Sequence, residues 1–338
     1  MKKLSAFAAC ALAALLLAGC SERTYTGILT APGDETTRSF TIQGRDGTAY
    51  SVKVAEDVPV AAWPEGTEPG DLYSGNWPAL RLSVKGRASL FGGEPVALTA
   101  SSVQIDAARQ PEGLTLADGT SLSVWQASFD REYCAPDGTL LLEERLGSEA
   151  ADALENAAGL TEAAKENILA FYEAQGILYD LHAQLERAWA AYKEANEGFE
   201  LYTLGQEVNL CAQNGSTLWL VTTVTLPLGG QVVTEEQFCA AFDRATGEAL
   251  APDELFTCTG DELAAALLDA AGITDEPKRS ELLAAFDESR VVFRAETLEV
   301  FYPQGAVPSE ETALILGLDY TGEVKALLQP RALPQKAA

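Results

Sequence analysis

Residues 24–107 consist of short segments in which apolar and polar side chains alternate. Alternation with a period of two residues predicts strands that place one face on a core. Five strands are predicted, at residues 24–31, 37–44, 49–55, 79–90 and 95–105. The Asp46-Gly47 pair predicts a tight hairpin turn between the second and third strands. The spacing indicates a small β-barrel, with a β-sandwich as the alternative.

An insertion at residues 59–78, together with the two strands after it, resembles the closing part of small OB-like barrels. The resemblance rests on "GDLYSGNWPALRLSVKGRASL" followed by "PVALTASSVQID". Barrels of this class bind oligomers, often on an aromatic face. The aromatic residues Trp63, Tyr73 and Trp77 of the insertion are therefore candidate binding residues that would stack on sugars. In the alternative interpretation, these rings cover the open end of the barrel as part of its core.

The pattern changes across residues 108–120, which we predict to be a linker. Pro111 and Gly113 interrupt regular structure there. Two strands are expected within residues 121–146, on either side of a turn at Asp137-Gly138. The second domain accordingly begins after the linker.

Residues 148–198 predict a long helix that is rich in Ala, Glu and Leu. Thr161 is the expected N-cap, and Gly198 lies where a C-cap would follow the last turn. Apolar residues recur at helical spacing on one face, which is typical of a helix packed against a sheet. That face is formed by Phe171, Leu178, Leu181, Leu185, Trp189 and Tyr192.

The remaining pattern predicts an antiparallel meander, two helices and a final group of strands. The meander strands are expected at residues 200–212, 217–228 and 231–243. Helices are expected within residues 253–288, and a hairpin and a last strand at 290–303 and 312–320. Strands and helices in separate blocks indicate an α+β fold. We place the second domain, an antiparallel sheet packed by the long helix, at residues 121–333.

The first twenty residues have the features of a secretory leader. Lys2 and Lys3 precede an apolar run that is short for a transmembrane helix. The end of this run, Ala18-Gly19-Cys20, resembles the lipobox of bacterial lipoproteins. That resemblance implies cleavage before Cys20, acylation of its sulfur and a membrane tether on the outer side of the cytoplasmic membrane, or on the outer membrane of a Gram-negative cell. An ordinary secretory leader is the alternative.

The net charge of the chain limits the class of partner that it can bind. The chain has 23 basic and 50 acidic residues, and loss of the leader with its two lysines changes the net charge from −27 to −29. Nucleic-acid binding relies on Lys and Arg to displace counterions from phosphates, so no nucleic-acid partner is expected. The same field attracts cations and basic proteins. An acidic surface that only keeps the protein soluble is the alternative.

Few residues are suited to catalysis. His182 is the single histidine and no G-x-S-x-G segment is present, which argues against serine hydrolase and zinc chemistry. Glycosidases need only two carboxylates, so a carboxylate-only glycan hydrolase stays as the enzymatic alternative. We expect no catalytic residues, no metal and no cofactor.

Four cysteines follow Cys20, and none of them forms a C-x-x-C pair. In an exported protein, four cysteines permit two disulfides in three connectivities, and four free thiols are the alternative. The candidate disulfide residues are Cys134, Cys211, Cys239 and Cys258.

The segment "FDRATGEALAPDELF" at residues 242–256 looks at first like a cation-binding loop. Asp243 precedes Gly247, and further acidic residues follow. However, a calcium loop needs oxygen ligands at alternate positions, and Arg244 and Ala245 come directly after the aspartate. The segment instead predicts a turn in which glycine adopts positive φ.

This segment and the order of elements around it resemble the extracellular domain family of lysozyme-sensing anti-sigma factors. The same family precedes some peptidoglycan deacetylase domains and occurs alone in bacterial lipoproteins. Its D-x-x-T-G-x-x-L-x-x-x-x-L-F signature is matched by Asp243, Thr246, Gly247, Leu250, Leu255 and Phe256. A hairpin signature is matched by Phe293, Leu298, Phe301, Tyr302 and Pro303, whereas "QGAVPSEE" after it lacks the usual aromatic residue and terminal glycine.

The resemblance covers residues 120–333 and implies an envelope protein that binds a basic wall-lytic enzyme such as lysozyme, or peptidoglycan. We therefore expect a non-enzymatic, lipid-anchored binding or sensing protein. A scaffold in which the barrel spaces the second domain from the membrane is the structural alternative.

Overall fold

A computed structural model describes residues 22–89, 93–128, 130–195, 198–229 and 232–335. The chain divides into two compact units at Leu140–Leu141, which are described separately below. The fold class is α+β, with a closed five-stranded barrel, further strands and several helices, as predicted. Within these ranges, no helix is long and apolar enough to span a bilayer. The predicted leader and Cys20 lie outside the described residues.

The first unit contains nine strands and one short helix among its described residues. They are β1 (Arg23–Leu29), β2 (Ser39–Gly44), β3 (Ala49–Lys53), β4 (Val60–Ala62), α1 (Asp71–Ser74), β5 (Leu80–Ala88), β6 (Val96–Arg109), β7 (Leu114–Thr115), β8 (Ser121–Ala127) and β9 (Asp130–Cys134). The five strands predicted from alternation correspond to β1, β2, β3, β5 and β6.

Those five strands close a barrel. β1 pairs antiparallel with both β2 and β5, and β2 pairs antiparallel with β3. β3 then pairs parallel with β6, and β6 pairs antiparallel with β5, which completes the ring. This order is the one expected for an OB-like barrel. Alternate positions point inward, and Ile42, Val52, Leu82, Val84 and Ile105 are fully buried.

The first unit continues beyond the barrel. β6 extends through Arg109 into the segment predicted as a linker, and its last two residues pair with β8. β8 and β9 form a hairpin whose turn includes Ser128 with φ of 56°. Residues 121–146 thus contain three strands where two were expected, and two of these strands belong to the first unit.

The second unit contains the remaining elements. They are β10 (Leu140–Leu146), α2 (Ala150–Glu155), α3 (Glu162–Gln175), α4 (Leu181–Glu194), β11 (Tyr202–Gln213), β12 (Thr217–Gly229), β13 (Val232–Asp243), α5 (Pro252–Leu255), α6 (Gly260–Ala270), α7 (Glu276–Ala284), η1 (Glu288–Arg290), β14 (Val291–Phe293), β15 (Thr297–Tyr302), β16 (Leu314–Asp319), α8 (Gly322–Ala326) and η2 (Pro330–Ala332).

The predicted meander is present, because β11, β12 and β13 pair antiparallel in sequence order. β10 pairs with β11 in parallel, so the sheet of this unit is mixed. Leu218, Leu220 and Phe242 face a core formed with α2 and α3. Trp219 and Ala241 face the opposite core, formed with α6 and the antiparallel sheet β14–β15–β16. Both faces of β12 are therefore buried, which explains its nearly continuous apolar sequence.

The long helix predicted at residues 148–198 is divided into α2, α3 and α4. Thr161 caps α3 as expected, since its hydroxyl accepts a hydrogen bond from the Ala164 N–H at 3.1 Å. Gly176, with φ of 64°, ends α3, and Asp180 caps α4. The Gln206 side chain donates to the Gly176 carbonyl and thereby fixes this break from a neighbouring strand. A residue on β11 supplies that contact, so the helical pattern alone does not predict it.

Candidate functional site

The turn at Asp243 joins β13 to α5 and is held by its own side chains. Asp243 Oδ1 accepts hydrogen bonds from the N–H groups of Ala245 and Thr246 at 2.9 and 3.1 Å. Its Oδ2 accepts from the Arg331 guanidinium. Burial raises the pKa of Asp243, but the donors from the turn and from Arg331 outweigh it and hold the pKa below its usual value. Both carboxylate oxygens therefore organise the turn, in agreement with the sequence interpretation.

Neighbouring residues tie this turn to helix α3 and to the β11–β12 turn. Asn167 on α3 donates to the Thr246 carbonyl at 2.8 Å. Arg244 donates to the Gln213 side chain and to the Asn214 carbonyl, both at 3.0 Å. The D-x-x-T-G signature thus describes a structural junction between strand, turn and helix.

The aromatic residues predicted as a binding cluster lie in different environments. Trp63 is 60% exposed, whereas Tyr73 and Trp77 are partly buried and pack on the barrel core. Among the described ring pairs, none joins two of these three residues. The structure therefore does not assemble the three rings into one stacking platform.

Trp77 is held in place by a buried aspartate. Asp71 accepts hydrogen bonds from the Trp77 indole N–H at 3.1 Å, the Asn76 side chain at 2.9 Å and the Ser74 hydroxyl at 3.0 Å. The Glu68 N–H is a fourth donor, at 2.9 Å. Burial raises the pKa of Asp71, and these four donors more than offset it, so the pKa is lowered. The insertion is thereby folded around one carboxylate.

The four candidate disulfide cysteines are free thiols in the structure. Cys134 is buried in the first unit, and burial raises its pKa to about 11. Cys258 is partly buried in the second unit, next to the core between the two sheets.

Cys211 and Cys239 approach each other across β12. The Cys211 thiol lies within hydrogen-bonding distance of the Trp219 carbonyl, at 3.2 Å, and also hydrogen bonds to the Cys239 sulfur. That second contact and burial both raise the pKa of Cys211. The same hydrogen bond lowers the pKa of Cys239 and outweighs the effect of burial, which alone would raise it. Their strands flank β12, so their Cα atoms are about 10 Å apart at the usual strand spacing. A disulfide needs Cα atoms within about 7 Å, so this arrangement does not form one without backbone movement.

A cavity of about 400 Å³ opens in the second unit between α5, η1 and the end of β13. Its walls are mainly apolar and aromatic. The Phe293 ring lies between the Trp219 ring, at 5.1 Å, and the Phe256 ring, at 5.5 Å. The lining residues are Phe171, Trp219, Cys239, Ala240, Ala241, Ala249, Leu250, Pro252, Leu255, Phe256, Asp287, Glu288, Ser289, Val291 and Phe293.

Two adjacent acidic residues form one edge of this cavity. Asp287 Oδ1 accepts the Ser289 N–H at 2.9 Å and so caps η1, and its other oxygen lies 3.6 Å from Arg290 Nε. Glu288 Oε1 accepts the Gly260 N–H at the start of α6. Arg290 also pairs with Glu236 at 2.8 Å, which leaves this group of four side chains with an excess of negative charge.

The arrangement suits a ligand with an apolar stem and a cationic end. An alkyl chain would contact the aromatic wall, and the charge would lie near Asp287 and Glu288. The Trp219 indole N–H is buried without a hydrogen-bond partner in the described part of the chain. Among the described residues, no three or more His, Cys, Asp or Glu side chains are arranged to hold a metal ion.

Sequence analysis did not predict this cavity. Its walls come from α3, β12, β13, α5 and β14, and the lining residues span Phe171 to Phe293 along the chain. The local signal in the sequence is the D-x-x-T-G signature, because Leu250 and Leu255, which follow it, line the wall. His182, which the sequence placed beside the apolar helix face, is exposed and lies 3.5 Å from Glu186 on α4.

Comparison with protein-family models gives no match, and no curated protein is similar in sequence. Two solved structures are similar in part. A DUF3298 family protein from Pseudomonas aeruginosa PAO1 is 12% identical with a TM-score of 0.31, over 58% of this chain and 88% of that one. A DUF3298 member from Bacteroides fragilis is 11% identical with a TM-score of 0.34, over 67% of this chain and 93% of that one.

Membership of this chain in the anti-sigma-factor domain family remains a prediction from its two signatures.

Proposed function

We propose that this chain is a non-enzymatic, lipid-anchored protein of the cell envelope that binds a basic wall-lytic enzyme of the lysozyme type. Peptidoglycan is the second ligand that the sequence resemblance implies. The observation that carries the proposal is the apolar cavity with Asp287 and Glu288 at its edge, in a chain whose mature form has a net charge of −29.

Two physical effects support a cationic protein partner. The long-range field of an acidic chain increases the rate of encounter with a basic protein. The cavity then offers specific contacts, since a Lys or Arg side chain can bury its alkyl stem and keep its charge beside a carboxylate. A neutral glycan would gain from the aromatic wall but not from the charge, so the basic protein is the favoured partner.

The test is titration calorimetry of the mature protein, without its lipid, against hen lysozyme and against solubilised peptidoglycan. We expect lysozyme binding that weakens as salt rises, because screening shortens the range of the field. The double variant Asp287→Asn, Glu288→Gln should bind about 3- to 30-fold more weakly, as expected for two partly exposed charge pairs of about 0.3–1 kcal/mol each.

A matched control removes the same charge elsewhere. Glu166→Gln, Glu173→Gln neutralises two exposed acids on α3 and should change the affinity by less than about twofold. Equal losses in both double variants would show non-specific attraction and overturn the assignment of the cavity. Absence of lysozyme and peptidoglycan binding at low salt, or turnover of a glycan by the pure protein, would overturn the proposed function.

A further inference from the structure

Strand β13 is the last strand of the β10–β11–β12–β13 sheet, and among the described residues backbone hydrogen bonds cover only its C-terminal end. At that end the Asp243 N–H donates to the Glu248 carbonyl at 2.9 Å, and the Leu250 N–H donates to the Ala241 carbonyl at 2.8 Å. Near the middle, Arg290 lies over the Phe238 ring at 4.4 Å. The opposite end of β13 begins at the β12–β13 hairpin.

The covered end fixes the direction of every backbone group along β13. The Ala241 C=O and the Asp243 N–H point away from β12, to Leu250 and Glu248. Directions alternate along an antiparallel strand, so Val233 and Glu235 also direct theirs away from β12. Thr234 instead exchanges hydrogen bonds with Leu226 of β12. Within the described chain, the outward groups of Val233 and Glu235 make no backbone hydrogen bond.

This free edge carries exposed apolar side chains. Val232 is 60%, Leu228 42% and Val233 40% exposed. Unpaired backbone groups beside exposed apolar residues form a surface to which a further strand can be added. Natural edge strands are usually protected by lysine, proline or a covering loop. Among the residues that the structure describes, no lysine, proline or covering loop protects residues 232–235.

Charge decides which strand would pair there. Glu235 is exposed and makes no ion pair with the described residues. A second copy paired antiparallel on this edge would bring two acidic edges together in two chains of net charge −27. A basic segment has the opposite sign and is favoured.

We propose that residues Val232–Glu235 of β13 bind an extended, basic segment of the partner protein by adding it as a strand to the sheet. Four hydrogen bonds to the N–H and C=O groups of Val233 and Glu235 would hold the segment. Its apolar side chains would contact Leu228, Val232 and Val233. The basic character of the segment rests on the proposed function, whereas the pairing site rests on the geometry of β13.

Hydrogen exchange gives a direct readout of the pairing. The probe is the peptide Ac-Lys-Val-Lys-Val-Lys-Val-Lys-NH2, added to the mature chain. We expect its binding to slow amide exchange at Val233 and Glu235 by about tenfold or more. Exchange at Thr234 and Glu236, whose N–H groups already pair with β12, should change little.

A control peptide with every backbone amide N-methylated keeps all the charges and side chains but loses its donors. It should bind at least about tenfold more weakly, since two hydrogen bonds to the edge are lost. Equal affinity of the two peptides, or no added protection at Val233 and Glu235, would overturn strand addition. Lysozyme binding measured in the same samples tests the proposed function separately, because it can persist when strand addition fails.

A protein variant provides an independent check. Val233→Pro removes only an outward N–H, and edge strands tolerate proline in this orientation. It should abolish the added protection at Glu235 without loss of the fold, whereas Val233→Thr, which retains the N–H, should preserve most peptide binding. Identical peptide binding by Val233→Pro and the unmodified chain would overturn the proposal.

Discussion

Gly247 is the residue at which the D-x-x-T-G signature is most constrained by its neighbours. Its φ is 74°, and a Cβ atom placed there would lie 2.1 Å from the Ala164 carbonyl oxygen on α3. The sequence predicted the positive φ from the turn. The close approach of the helix backbone, which excludes any side chain, is visible only in the folded chain.

Gly247→Ala should therefore destabilise the second unit by about 3 kcal/mol or more, because backbone strain adds to a clash that no side chain can relieve. Urea unfolding followed by circular dichroism measures the change. Gly305→Ala is the matched control, since Gly305 also has positive φ, at 82°, but has open space around it. Gly305→Ala should lower the unfolding free energy by only about 1–2 kcal/mol. Similar costs at both positions would contradict the role of the helix contact.

The lowered pKa of Asp71 predicts that the unfolding free energy of the first unit depends on pH. Its folded pKa is lower than its usual value of 3.8, so its stabilising effect is complete above that value and is lost as the pH falls through the folded pKa. Asp71→Asn removes the charge and should lower the unfolding free energy at pH 7 while making it less dependent on pH below 4. Urea titrations of both proteins between pH 2.5 and 7 measure this. Parallel pH profiles would show that Asp71 does not contribute through its charge.

At the scale of elements, the strands of the barrel and the meander lie where the sequence predicts them. The long helix predicted at residues 148–198 is instead divided into three helices. Alternation and Asp-Gly turns are local signals, and β1, β2, β3, β5 and β6 lie where they predicted. One continuous apolar face spanned residues 171–192 in sequence, yet two helices share it. The break occurs at Gly176, where contacts from Gln206 on a neighbouring strand replace those of another helical turn.

Substitution of Thr161 tests whether α3 is an independent helix with its own N-cap. Thr161→Ala removes the acceptor for the Ala164 N–H and should destabilise the second unit by about 1 kcal/mol. Thr161→Ser keeps the hydroxyl and should be close to neutral. Thermal and urea unfolding of the three proteins supply the comparison. An equally stable Ala variant would mean that the start of α3 is fixed by packing alone.

At the scale of the whole molecule, the proposed function depends on the net charge of the chain and on the predicted lipid anchor. A surface tether confines a binding protein to two dimensions near the membrane, and an acidic chain then attracts basic proteins to that layer. The cavity and the β13 edge both lie in the second unit.

Cys20→Ala should abolish the tether. In an expressing bacterium, the unmodified chain is expected to incorporate radiolabelled palmitate and to sediment with membranes, because two acyl chains anchor a protein stably. The variant should lose the label and appear in the soluble extracytoplasmic fraction or remain with an uncleaved leader. The Cys10→Ala variant, which changes the other cysteine of the leader, should behave like the unmodified chain. Palmitate labelling of the Cys20→Ala chain would contradict the prediction.

The sequence by itself determined the α+β class, the strands of the barrel, the meander β11–β12–β13 and the turn at Asp243, because each depends on periodicity or turn chemistry between nearby residues. Only the tertiary structure decided the end of the first unit, the division of the long helix, the separation of Trp63 from Tyr73 and Trp77, and the cavity beside Asp287. Each of these depends on contacts between residues far apart in the chain. The free edge of β13 belongs to the same group, since a strand becomes an edge only when the order of the sheet is known.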